Sequence, residues 1–162
     1  MSRIAYVPCI NERYQSLGFP PYRWSEFDTA PWAPLKKPLA ECRIALLGAG
    51  GISLKGQTPY DPKSVNDFSF REIPKDVKAE DFVINYSYYD HTDAEKDINC
   101  IFPIERFREL EAERFIGELV PVNITTGMGR MYKRSQLQNE MVPEIFRRLE
   151  EEKVDALFLV PA

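Results

Sequence analysis

The chain of 162 residues is poor in several things at once. It has three cysteines, Cys9, Cys42 and Cys100, an odd count at wide spacings without a C-x-x-C pair. That argues against a disulfide framework and fits a reducing, cytoplasmic setting in which each thiol is a small buried hydrophobe. Positive charge is not in excess. The formal net charge is −4, so no nucleic-acid partner is expected. No apolar run approaches the roughly 18 residues of a membrane span. The N-terminal "MSRIAYVPCINERY" lacks the apolar stretch of a secretory signal. Internal repeats and low-complexity tracts are missing too. What is left is ordinary: 44% hydrophobic and 28% charged residues, in a length that favours one domain with a real core.

Proline is unevenly placed. Six of the thirteen prolines and both tryptophans fall in the first forty residues. "GFPPYRWSEFDTAPWAPLKKP" cannot be a helix or a central strand with that much proline. Residues 1–40 therefore read as an extended arm. Its aromatics, Phe19, Tyr22, Trp24, Phe27 and Trp32, need a surface to bury against, either the chain's own core or a partner subunit.

Residues 41–162 alternate strand and helix. "CRIALLGAGG" is a strand running into glycines, and Phe82 to Tyr86 is a second strand. "PIERFRELEAER" opens on Pro103, a good first helical residue. Its Ile104, Phe107, Leu110 and Ala112 share a face. "IGELVPVNI" is a third strand. A long helix over Lys133 to Glu152 follows, with Leu137, Met141, Ile145 and Leu149 as its buried stripe and Pro143 as a kink. "VDALFLVPA", Val154 to Ala162, is almost unbroken apolar and reads as a strand buried on both faces. The pattern predicts an α/β fold, a mostly parallel, Rossmann-like sheet with helices on both faces.

In such sheets functional groups gather beyond the carboxyl ends of the strands, and three loops lie there. "GAGGIS", Gly48 to Ser53, has the pattern G-x-G-x-x-S. It lacks the third glycine of a dinucleotide fingerprint, and Gly56, Pro59 and Pro62 follow where the helix should begin. A tight turn, or close approach of Gly50 and Gly51 to a ligand, remains open. "DHTDAEKDINC" gathers His91 with Asp90, Asp93, Asp97, Asn99 and Cys100. The ligand set is mixed and no spacing is diagnostic, so no metal is expected. The loop is either a set of helix-capping carboxylates or a place where His91 holds or moves a proton. "NITTGMGR" offers Thr125, Thr126, Gly127 and Arg130, a plain glycine loop or a cradle for a carboxylate.

Read in order, "PLAECRIALLGAGGI", "DFSFREIP", "YYDHTDAEKDINCIFPIERFRELEAERFIGELV", "TGMG" and "VDALFLVPA" resemble the selenoprotein B family of glycine, sarcosine and betaine reductases. The proline reductase selenoprotein subunit belongs to the same group. The resemblance runs from Tyr14 to Ala162. Its most specific part is H-x-D-x-x-x-D-x-N-x-x-F-P on His91, Asp93, Asp97, Asn99, Phe102 and Pro103.

The resemblance implies an oxidoreductase subunit, inactive alone, of an enzyme that reductively cleaves a C–N bond of a small amino acid or amine. In the family, the strand matching "VDALFLVPA" runs into a segment carrying a selenocysteine or cysteine, and a C-terminal portion follows. The 41–162 domain is therefore expected to be incomplete. A selenocysteine is expected just after Ala162, with the chain truncated where a UGA codon is read as stop. A partner subunit would carry a pyruvoyl group and a thiol protein would supply electrons. On this reading His91, Asp93 and Asp97 form the catalytic loop. Gly50, Gly51, Asn99, Thr125, Thr126 and Gly127 bind substrate. The alternative is a non-catalytic α/β assembly module that docks a partner through its aromatic arm.

Overall fold

The computed structural model describes residues 5–21, 26–86, 89–127, 129 and 131–161. Tyr22 and Trp24 of the arm, Arg130 of the third loop and Ala162 lie outside the described residues. The chain divides into two compact units, Met1–Pro34 and Leu35–Ala162.

The first unit holds a helix where an extended arm was expected. α1 spans Tyr6–Ser16. Pro8 is tolerated because it sits in the first turn, where its missing N–H has no helical partner to lose. Gly18 ends the helix at φ +83°. Gly18 N–H donates to Gln15 O and Phe19 N–H to Tyr14 O, which satisfies the last carbonyls. The Tyr14 and Phe19 rings meet edge to face at 5.9 Å. The described residues from Phe19 to Pro34 form no helix or strand.

The second unit is a mixed α/β structure. β1 (Arg43–Gly48) is the hub of its main sheet. Along one edge it pairs in parallel with β7 (Ala156–Val160), from Ile44↔Ala156 to Gly48↔Val160. Its other edge is shared by β5 (Glu118–Leu119) at its start and β6 (Val122–Thr126) at its end, both parallel. The expected single strand "IGELVPVNI" is thus two, divided at Pro121, which has no N–H to give. Asn123 bridges the gap from within. Its Oδ1 accepts from Leu46 N–H at 2.8 Å and its amide donates to Val120 O at 3.1 Å, with the side chain wholly buried.

Two further strands were not foreseen in the sequence. β3 (Phe70–Pro74) closes the sheet antiparallel to β6. β2 (Ile52–Leu54) makes a separate antiparallel ribbon with β4 (Phe82–Ile84), which falls within the expected strand Phe82 to Tyr86. The sheet is therefore mixed.

Alternate residues of β1 join two apolar clusters. Ile44 and Leu46 pack with Phe102, Ile104 and Leu119 beside α3 (Ile104–Ala112). Leu47 packs with Ile124, Met141 and Ile145 beside α5 (Val142–Glu151). The helix expected over 133–152 is interrupted: one turn, α4 (Arg134–Gln136), then a π turn, Leu137–Met141, then α5. Pro143 cannot donate to Asn139 O, and the ladder widens just ahead of it.

The terminal strand departs from expectation. β7 pairs with β1 alone among the described residues, and Leu157, Phe158 and Leu159 are exposed. It is an edge strand with an interior strand's sequence. No helix among the described residues is long and apolar enough to cross a membrane.

Candidate active site

The carboxyl ends of β1, β6 and β7 meet at the glycine turn. Ala49 N–H donates to Val160 O at 3.0 Å, Gly51 N–H to Thr126 O at 3.1 Å, and Asn85 N–H to Gly51 O at 3.1 Å. Gly51 has φ +65°, and a Cβ there would lie 1.9 Å from Tyr86 Cδ2. A Cβ on Gly48 would lie 2.8 Å from the Phe102 ring. Glycine is demanded here by conformation and by crowding together. β2 begins at Ile52, directly after the turn. A strand stands where a dinucleotide-binding crossover helix would have to start, so that reading fails.

Tyrosines that the sequence reading passed over line this region. Tyr86, 3% exposed, covers Gly51 and puts its hydroxyl beside Gly127. Tyr60 OH donates to Thr125 O at 2.7 Å. The Arg71 guanidinium lies 4.2 Å above the Tyr60 ring. Burial, opposed by the Thr125 bond and by Arg71, raises the Tyr60 phenol to about 12, so it stays a neutral donor. Tyr89 OH donates to Gly50 O at 3.2 Å, and burial raises its pKa as well. Asn85 ties two loops together: its Oδ1 accepts from Ser53 Oγ at 2.7 Å and Tyr60 N–H at 3.4 Å. The available signal was the density of Tyr and Asn beside predicted strand ends.

The residues singled out from sequence fall into two groups. Gly50, Gly51, Thr125, Thr126 and Gly127 come together around Tyr86 and Tyr60. Thr125 is fully buried and its hydroxyl donates to Ile52 O at 2.6 Å. Thr126 is also buried.

His91 joins this group through Tyr89, whose ring meets the imidazole edge to face at 5.8 Å. His91 Nδ1 lies 2.8 Å from Glu95 Oε1, at ion-pair distance when the imidazole is protonated but without hydrogen-bond alignment.

Asp93, Asp97 and Asn99 form the second group. Asp93 is exposed and pairs with Lys96 at 3.0 Å. Asp97 Oδ1 accepts from Asn99 N–H at 3.0 Å and Nδ2 at 2.8 Å, which lowers its pKa. Asn99 Nδ2 also donates to Glu105 Oε2 at 2.8 Å, and Glu105 N–H donates back to Asn99 Oδ1 at 3.1 Å. Asp97 caps the turn Ile98–Cys100 and Asn99 the start of α3. Asp90 does the same for α2 (Thr92–Lys96): its Oδ1 accepts from Thr92 Oγ1 and N–H, and its pKa is lowered by them. A groove of about 560 Å3 between β4 and α2 borders this group, lined by Phe82, Val83, Ala94, Glu95 and Asp97 among others.

Among the described residues there is no cluster of three or more His, Cys, Asp or Glu fit to hold a metal. Cys9 and Cys100 are exposed and Cys42 is buried.

The fold and the site thus define a mixed α/β protein whose strand-end turn packs glycine, threonine and tyrosine together. Residues 17–162 match the family model of glycine/sarcosine/betaine reductase selenoprotein B, and the chain belongs to that family. The D-proline reductase subunit gamma of Acetoanaerobium sticklandii is 41% identical over 128 residues, covering 79% of this chain and 52% of that protein. The glycine reductase complex component B subunit gamma of Symbiobacterium thermophilum is 30% identical over 146 residues, 85% of this chain and 32% of that one. The sarcosine reductase complex component B subunit beta of Peptoclostridium acidaminophilum is 30% identical over 117 residues, 67% and 26%. The chain spans about half the length of the first of these and less of the others. No solved structure matches.

Proposed function

We propose that this chain is part of a subunit of a selenocysteine- or cysteine-dependent reductase that cleaves a C–N bond of a small amino acid or amine. It works with other subunits, one bearing a pyruvoyl group, and with a thiol protein as reductant. The observation that supports this most is the hydrogen bond from Ala49 N–H to Val160 O. Because of it, a reactive residue following β7 would stand against the glycine turn, beside Thr126 and Gly127. A selenolate or thiolate there would supply a nucleophile, a selenol being more acidic than a thiol, and a pyruvoyl carbonyl on a partner would serve to activate the substrate amine.

The chain's own residues would do the rest. Gly50 and Gly51 would offer backbone groups to the substrate, the space of their missing side chains being taken by Ile101 and Tyr86. Gly127 and Thr126 would face the substrate carboxylate, while Thr125, its hydroxyl engaged by Ile52 O, would hold their loop. Tyr60 and Tyr86, both buried, would shield the strand-end turn from water. His91, backed by Glu95, would deliver or orient a proton. Asp93, Asp97 and Asn99 would fix the His91 loop and the entry to α3.

The test uses the subunit lengthened through the reading frame beyond Ala162 and assembled with its partners. His91→Ala is expected to lower turnover by about 100-fold or more, with thermal stability unchanged. Unchanged turnover would remove His91 from the mechanism. A continuation with neither selenocysteine nor cysteine would leave the reductase without its nucleophile, and the assembly-module reading would replace it.

A further inference from the structure

We propose that Tyr60, clamped by Arg71, is the positioning residue of the strand-end turn: it touches no substrate but sets where Thr126 and Gly127 stand for the substrate carboxylate. The inference rests on the reductase reading above and adds to it the side chain that holds the binding loop in place.

Tyr60 belongs to no helix or strand, yet it is only 2% exposed. A hydroxyl buried so deeply needs a partner, and this one finds it on β6, at Thr125 O. The bond is one link of a closed circuit. The next carbonyl, Thr126 O, accepts from Gly51 N–H, and Gly51 O accepts from Asn85 N–H. Asn85 Oδ1 accepts from Tyr60 N–H, which returns to the start. Four segments remote in sequence, around residues 51, 60, 85 and 125, are thereby tied to one another. Gly127 lies against the same tyrosines. A Cβ built on it would stand 3.1 Å from the Tyr86 hydroxyl and 3.6 Å from the Tyr60 ring, and the two rings are 6.2 Å apart. Tyr60 thus meets the loop twice, by its hydroxyl at Thr125 and by its ring at Gly127.

Arg71 holds the ring in turn. On β3 it stands opposite Thr125 of β6, and its guanidinium lies over the Tyr60 ring. Nε donates to Thr58 O at 2.7 Å, two residues before Tyr60, and Nη1 donates to Ser69 Oγ and Phe70 O at 3.0 Å each. A planar fork bonded along its edge and stacked by its face fixes a ring in one place, which a lysine does not.

A loop that meets the substrate carboxylate does so alike in the ground state and the transition state. Displacing it raises KM and leaves kcat nearly unchanged. A proton donor such as His91 gives the opposite pattern, a fall in kcat.

The test uses the chain lengthened beyond Ala162 and assembled with the proposed partner subunits, with amide hydrogen exchange read on the same protein. Tyr60→Phe keeps the ring and removes the hydroxyl. It is expected to raise the substrate KM by about tenfold, with kcat within about twofold of wild type. The Gly51 and Asn85 amides should exchange about tenfold faster relative to the Val120 amide, which is bonded to Ile44 O at the far end of β1. Arg71→Met should do the same, and Arg71→Lys, which keeps the charge but not the fork, should fall between it and wild type. The two readouts separate this inference from the reading it rests on. Unaltered exchange in Tyr60→Phe and Arg71→Met would overturn the inference even in an active enzyme. Faster exchange with KM unmoved, or a fall in kcat alone, would overturn it equally. A wild type that turns over none of glycine, sarcosine, betaine and D-proline would defeat the reductase reading and the substrate role with it, and the exchange rates would then decide the clamp alone.

Discussion

At Gly51 two constraints coincide: φ is +65° and the space of a Cβ is filled by the Tyr86 ring. Gly51→Ala should therefore destabilise the fold by about 3 kcal/mol or more, combining left-handed strain with overpacking. Gly56 is the control, since it has φ +88° but nothing within 4 Å of a built Cβ, and Gly56→Ala should cost only about 1 kcal/mol. Urea titration of both variants checks the difference, and equal losses would mean that the Tyr86 contact carries no weight. Tyr60 makes a prediction in pH. Its pKa is raised from 10.0 to about 12, chiefly by burial. A raised folded pKa means that the folded state holds the proton more tightly than the unfolded one. The contribution is then complete below pH 10 and disappears as pH climbs through about 12. The wild type should lose on the order of 2 kcal/mol over that window. Tyr60→Phe should lack this loss, though it should start about 1 kcal/mol less stable for want of the Thr125 hydrogen bond.

Among the elements, the segment His91–Glu105 shows how one stretch serves two ends. Its carboxylates and Asn99 close one short helix and open the next, while Ile101 and Phe102 turn inward beneath Gly50 and Gly48. Asn99 is the hinge of this arrangement, bonded to both Asp97 and Glu105. Asn99→Ala should cost about 1–2 kcal/mol, seen as a lower unfolding midpoint in urea, and Asn99→Asp should recover only part of it beside Asp97 and Glu105. Both capping and site roles had been open for this loop from sequence, because Asp and Asn suit either. The hydrogen bonds assign the capping to Asp90, Asp97 and Asn99. The strands carrying β-branched and apolar runs, β1, β4, β6 and β7, were legible, as were α3 and the break at Pro143. β3 was not: "FREIP" has two charges and a proline, and only its pairing to β6 and the Arg148–Glu72 contact make it a strand. β2 was hidden because three residues give no period to read. α1 was missed because the proline-rich stretch from Gly18 onward was extended to all of residues 1–40, whereas Tyr6–Ser16 lies ahead of it.

For the whole molecule, the sequence pointed to the strand-end loops and to the selenoprotein B family, and the chain does belong to that family. It did not reveal the three tyrosines that bring the loops together, since a tyrosine between strands is as readily core or surface as cleft. Among the described residues β7 is less buried than expected, because the faces of an apolar strand are buried only where other layers cover them, and sequence does not say what covers each face. The end of β7 and the glycine turn are linked by the Ala49–Val160 hydrogen bond. The central claim is reductive C–N cleavage, and substrate-dependent oxidation of a dithiol measures it most directly. The chain, lengthened beyond Ala162 and combined with the proposed partner subunits, would be supplied in turn with glycine, sarcosine, betaine and D-proline. Thiol loss strictly dependent on one of these, and abolished when the selenocysteine or cysteine proposed to follow β7 is replaced by alanine, is the predicted result. Thiol loss with none of them, or loss indifferent to that replacement, would contradict the account.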